Sequence, residues 1–150
     1  PGLVALRRML AEGVAPDGQQ HADAMADALA RVGRMSRQPG LVVAISDWRD
    51  QHGWQRPLAS LRFRHSVLAV EVIDPREATL PAVGHLALVD PESGARVDVD
   101  TSNRRVRERF AKLERERRDE LARELRRLRI DHVTLGTDQD WLLELGHHLR

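Results

Sequence analysis

Cysteine is absent from these 150 residues, aromatic residues make up only 3%, and lysine occurs once, at Lys112. Without cysteine there is no disulfide framework, no thiolate nucleophile and no Cys-ligated zinc or iron–sulfur site. The scarcity of aromatics leaves the core to Leu, Val, Ala and Ile. A membrane span needs about 20 consecutive apolar residues, whereas the longest apolar run, Leu41-Val42-Val43-Ala44-Ile45, has five; no membrane insertion is expected of this chain. Three catalytic signatures are missing as well. There is no Gly-x-Ser-x-Gly and no His-Glu-x-x-His, and the single lysine, followed by Leu113, cannot complete a phosphate-cradling Gly-x-x-x-x-Gly-Lys-Ser/Thr. Neither a secretory signal nor an Arg/Ser-rich presequence opens the chain, which starts at Pro1. The expectation is a cytoplasmic protein, processed or cut from a longer one.

What is present alternates between helix and strand periodicities. Leu3, Val4, Leu6, Met9 and Leu10 recur at helical spacing up to Gly13, and Ala22, Met25, Ala26, Leu29, Val32 and Met35 repeat the pattern until Pro39-Gly40. Leu41 to Ile45 is an unbroken, β-branched-rich run of the kind a central parallel strand covered on both faces shows. A helix over Gln55 to Arg64 then leads to a second such run, Val67 to Ile73, which makes a right-handed β-α-β unit. His85 to Val89 and Ala95 to Val99, around Asp90-Pro91-Glu92-Ser93-Gly94, read as an inserted β-hairpin. Thr101 or Ser102 can cap a long helix reaching Arg129, with Val106, Phe110, Leu113, Leu121, Leu125 and Leu128 in one stripe. His132 to Leu135 forms a third strand, and Trp141, Leu142, Leu145 and Leu149 a last helix. The fold class is therefore α/β: a partial, doubly wound, Rossmann-like and mostly parallel sheet carrying a hairpin, in a single domain over 1–150.

Ligands of open α/β sheets sit beyond the carboxyl ends of the strands, which places Asp47, Asp74 and Asp138 on one rim. Ser46 and Asp47 could hold a hard cation such as Mg²⁺ through oxygen; the competing reading makes them turn formers or caps. The seven histidines are scattered, with no metal-ligand spacing. Residues 102–129 hold twelve basic and six acidic residues, leaving the rest of the chain negative by five. Such a helix could meet phosphates, but Glu108/Lys112, Glu114/Arg118 and Asp119/Arg123 at four-residue spacing describe a solvated helix laced with ion pairs.

The run Gly40 to Trp48, His65 before a strand ending Asp74-Pro75-Arg76-Glu77, then Leu80-Pro81, Gly84, Asp90 to Gly94, Asp100-Thr101 and Thr137-Asp138-x-x-Trp141 resembles the C-terminal part of domain-of-unknown-function family 58. That resemblance implies a von Willebrand factor A-like fold, of which this chain would be the C-terminal half, and a MoxR-type AAA+ ATPase as partner. Members are thought of as adaptors rather than enzymes. In the broader von Willebrand A-domain pattern a metal-ion-dependent adhesion site takes an Asp-x-Ser-x-Ser loop after the first strand, a Thr from a later loop and an Asp after the fourth. Ser46-Asp47 matches the strand-end position of that last Asp, whereas no Asp-x-Ser-x-Ser exists here. The resemblance thus implies Mg²⁺ in the full-length protein and none for this chain alone.

These readings converge on a non-enzymatic interaction module, with Asp74, Arg76, Glu77 and Asp138 as partner-binding candidates. A strand at 41–45 lacking a neighbour would favour self-association through its edge. The rivals are a metal-assisted hydrolase using Asp47, Asp74 and Asp138, and a nucleic-acid binder using the arginine-rich helix.

Overall fold

A computed structural model describes residues 24–49, 53–89 and 95–148. The first expected helix, Leu3 to Leu10, and the turn at Asp90 to Gly94 lie outside the described residues. Within them the order is α1 (Ala24–Met35), β1 (Leu41–Ser46), α2 (Gln55–Leu61), β2 (Ser66–Ile73), a 3₁₀ turn (Pro75–Ala78), β3 (His85–Val89), β4 (Arg96–Asp100), α3 (Arg104–Arg127), β5 (Asp131–Gly136) and α4 (Trp141–His148).

β1, β2 and β5 form a parallel sheet in that spatial order, and β3 and β4 form a separate antiparallel hairpin. The chain is α/β, with the hairpin inserted after β2. Side chains alternate across a strand, and the register makes Val42, Ala44, Val67 and Ala69 share one face, where Leu29, Leu58, Leu61, Leu121 and Leu125 of the three helices α1, α2 and α3 cover them. The opposite face holds Leu68, Val70 and Leu135, with Val133 and Leu145 of α4 against them.

Three local readings are corrected. β1 is not a strand covered on both faces: it lies at the edge of the described sheet, and its second face leaves Leu41, Val43 and Ile45 at 60, 43 and 67% exposure. The described residues supply α4 for only part of that face, so an apolar run suited to two covers has one. The cap of α3 is Asn103, whose side chain accepts from Arg105 N, rather than Thr101 or Ser102. Thr101 is instead buried, its Oγ1 donating to the Gly84 carbonyl at 2.7 Å and tying the hairpin's exit to its entry. Leu113 does not belong to the buried stripe of α3 and is exposed; the next half-buried positions along the helix are Glu114, Arg117 and Arg118.

The end of β1 is fixed by Trp48. This buried residue adopts the left-handed backbone conformation (φ 54°) and donates from its indole Nε1 to the Val70 carbonyl at 3.0 Å. Its ring meets Trp54 edge-on, with centroids 5.0 Å apart at 76°, a favourable aromatic geometry. Two of the chain's three tryptophans thus turn the backbone from β1 toward α2.

Candidate functional site

Glu71 interrupts the apolar run of β2, and its odd position points it to the helix-covered face beside Val67 and Ala69. It is 1% exposed. A buried carboxylate needs a cation and hydrogen bonds to offset lost hydration. Arg117, projecting from the middle of α3, puts Nη2 3.5 Å from Glu71 Oε1. From β5, where Thr134 is in register with Glu71, the Thr134 hydroxyl donates to Oε2 at 3.5 Å and His132 Nε2 lies 3.3 Å from the same oxygen.

The network extends outward to the strand ends. Arg117 Nη1 also donates to the Asp47 carbonyl at 3.5 Å, and its Nε faces Glu114 Oε2 at 3.5 Å. Arg49 joins three carboxylates: Glu77 at 3.0 Å, Glu114 at 3.4 Å and Asp47 at 3.8 Å. Burial opposes the charge of Arg49, but Glu114, then Glu77 and Asp47, outweigh it and hold the guanidinium above the ordinary arginine pKa. Several of these contacts are ionic without hydrogen-bond alignment. Glu114 Oε2, Arg117 Nε, Arg118 Nε and His132 Nε2 are buried with no hydrogen bond to the protein, and they are the only such side-chain atoms among the described residues. All four lie in or beside this network; buried polar atoms left without partners are uncommon, and here they concentrate at one place.

The expected rim residues divide by what they do. Ser46 and Asp47 form the turn: Ser46 Oγ accepts from Trp48 N at 3.1 Å, and Asp47 Oδ1 accepts from Arg49 N at 3.2 Å and from Ser46 Oγ at 3.4 Å. Asp74 caps the 3₁₀ turn by accepting from Arg76 N at 2.9 Å, and Glu77 is held by Arg49. Asp138 folds back over the end of β5, since a Cβ added at Gly136 would lie 2.7 Å from its Oδ1. The side chains of Arg76 and Asp138 carry no ion pair or hydrogen bond among the described residues. They are rim charges that the described residues leave unpaired.

As arranged, Ser46 and Asp47 do not fit Mg²⁺. Ser46 Oγ and Asp47 Oδ1 are committed to the turn, Asp47 Oδ2 faces Arg49 Nε at 3.8 Å, and among the described residues no three His, Asp or Glu side chains gather as a metal site. Asp47 and Asp74 accept hydrogen bonds in their local turns, and among the described residues no group of three His, Asp or Glu side chains that could hold a metal for hydrolysis brings Asp47, Asp74 and Asp138 together. On α3 the pairs are Arg104–Glu108, Lys112–Glu116, Glu114–Arg117 and Glu124–Arg127, not those expected from the sequence. The principle of a helix laced with ion pairs stands, but Glu114 and Arg117 serve the buried network.

Comparison with known proteins places the chain in a family. The description "Protein of unknown function DUF58" matches residues 1–120, and the chain belongs to that family. It is 38% identical over 121 residues to the uncharacterized protein MAV169 of Mycobacterium avium, covering 81% of this chain and 71% of that protein. It is equally 38% identical over 123 residues to the uncharacterized proteins Mb1516 of Mycobacterium bovis and Rv1480 of Mycobacterium tuberculosis, covering 81% of this chain. The match spans only 38% of the length of those two relatives. No solved structure matches the chain. Among the described residues, no helix is long and apolar enough to cross a membrane.

Proposed function

We propose that this chain is a non-enzymatic interaction module, the C-terminal part of a von Willebrand A-like domain, and that the full protein works with a MoxR-type AAA+ ATPase in the assembly or maturation of other proteins. The observation that carries the reading is the division of labour on the rim. Asp47, Arg49, Glu77, Glu114, Arg117 and Glu71 are spent on one another, which makes the strand ends rigid and leaves Arg76 and Asp138 presented on a fixed frame. A rigid frame with unused charges of both signs suits recognition of a protein surface of complementary charge, which governs partner choice and encounter rate. It offers no nucleophile–base pair for chemistry.

The open side of β1 supports the placement within a longer domain. An exposed apolar face beside an unpaired strand edge is a surface that folded proteins cover, and the mycobacterial relatives are long enough to supply that cover. Metal does not enter this reading, because the rim residues do not fit it. The test is calorimetric titration of the full-length protein with a MoxR-type ATPase: the proposal expects saturable binding without added Mg²⁺ on the adaptor's side, and hydrolysis of a generic ester or phosphodiester substrate by the purified protein would overturn it.

A further inference from the structure

At the other end of the sheet, where α1 and α2 both finish and β2 begins, lies a cleft of about 520 Å³. That is within the range of small-molecule sites, about 300–1,000 Å³. Its walls are apolar and small: Leu29, Ala30 and Gly33 from α1, and Pro57 and Leu61 from α2. The glycine makes the space, since a Cβ there would already touch Leu61 Cδ2 at 3.5 Å. Phe63 stands at the mouth with 94% of its surface exposed, an unusual placement for an aromatic in a chain with so few.

Beside the Ser60 hydroxyl, which donates to the Arg56 carbonyl at 2.9 Å, the charged lining among the described residues is of one sign. Arg56 and Arg64 border the cleft; among the described residues neither has an ion-pair partner and no carboxylate lines the cleft. His65 also lines it, is 94% buried (6% exposed), and its imidazole makes no hydrogen bond among the described residues. An imidazole and two guanidiniums that make no side-chain hydrogen bond or ion pair among the described residues, beside an apolar floor, suit an apolar body ending in an anionic head. We propose that this cleft is a binding site for an amphiphilic monoanion, an alkyl or aryl carboxylate. The apolar body lies along Leu29, Gly33 and Leu61 under Phe63, and the carboxylate meets Arg56, Arg64 and His65. The site lies at the opposite end of the strands from the charged rim, so it stands or falls independently of the adaptor reading.

Decanoate is the probe, compared with decan-1-ol and decyltrimethylammonium, which keep the chain length and remove or reverse the charge. Followed by ¹⁵N–¹H NMR on the intact protein, decanoate is expected to bind saturably at one site, shifting the amides of Gly33, Leu61 and His65. The alcohol should bind at least about tenfold more weakly, equivalent to about 1.4 kcal/mol, and the cation not at all. Arg56→Glu with Arg64→Glu should weaken decanoate by about tenfold or more while leaving decanol unchanged; both positions are exposed, so the fold is retained. Gly33→Leu, which fills the cleft from a helix position, should abolish binding with an unchanged circular dichroism spectrum. Equal affinity for acid and alcohol, shifts centred on Leu41 and Ile45 instead, or no saturable binding would overturn the assignment.

Discussion

His132 Nε2 lies 3.3 Å from Glu71 Oε2, on the face where Arg117 approaches the other oxygen of the same carboxylate. Two strands and a helix far apart in sequence are thus locked together by one side chain. The arrangement costs hydration and yields little net stability against an apolar substitute, but removing one member exposes the others to full desolvation.

Glu71→Ala should therefore destabilise the fold by about 3 kcal/mol, within the range for breaking one partner of a buried pair. The double variant Glu71→Leu/Arg117→Leu should recover most of that loss. Urea denaturation of the two variants beside the parent decides it. A loss below about 0.5 kcal/mol for Glu71→Ala would mean the pair is solvated and the cluster is not a buried network.

Trp48 carries both a hydrogen bond and a large buried ring. Trp48→Phe keeps most of the packing but loses the bond to the Val70 carbonyl, an expected cost of about 1 kcal/mol. Trp48→Ala should cost about 3–5 kcal/mol. Thermal melts should rank the parent above Phe and Phe above Ala; a Phe variant as unstable as Ala would contradict the packing account.

At Gly33 the backbone is helical and an added methyl has ordinary contact distance to Leu61. Gly33→Ala should raise stability by about 0.5–1 kcal/mol, the usual helix gain over glycine. Thermal denaturation gives the sign directly, and a drop in melting temperature would show the cleft to be tighter than described.

The exposed face of β1 predicts association. The 150-residue chain should elute and scatter light as a species larger than a monomer at micromolar concentration, through Leu41, Val43 and Ile45. Val43→Lys should shift it to monomer with little change in melting temperature, since the residue lies on the edge strand with 43% of its surface exposed. A parent chain that is a sharp monomer would contradict this.

Much of the fold was legible because periodicity reports burial. The unbroken runs at Leu41–Ile45 and Val67–Ile73 read as parallel strands, and β5 was found from four residues; the α/β class and the inserted hairpin follow from that order. What the pattern could not give was which faces have covers, because one apolar run encodes the same two demands whether or not both are met among these residues; β1 is the case in point. The site was less legible. Asp47 and Asp74 were singled out as strand-end carboxylates, yet their oxygens build turns. Glu71, the residue that organises the site, lies inside an apolar strand, where periodicity marks it only as part of the run. A usable signal existed: a carboxylate amid β-branched residues demands a cation, and the buried stripe of α3, followed through Phe110, Glu114, Arg117, Leu121 and Leu125, offers one. Hydrophobicity alone places Leu113 in that stripe in preference to the adjacent Glu114, and so conceals the charged pair that the stripe carries.

The rim itself gives the most direct test. Arg76 and Asp138 are rim charges unpaired among the described residues, so Arg76→Glu and Asp138→Arg should leave the melting temperature unchanged while weakening binding of the full-length protein to a MoxR-type AAA+ ATPase by about tenfold each, as rim charges do when reversed. Calorimetric affinities that fall by that factor with intact folding are the predicted result. Affinities equal to the parent's, or no binding by the parent at all, would contradict the account of this rim as a docking surface.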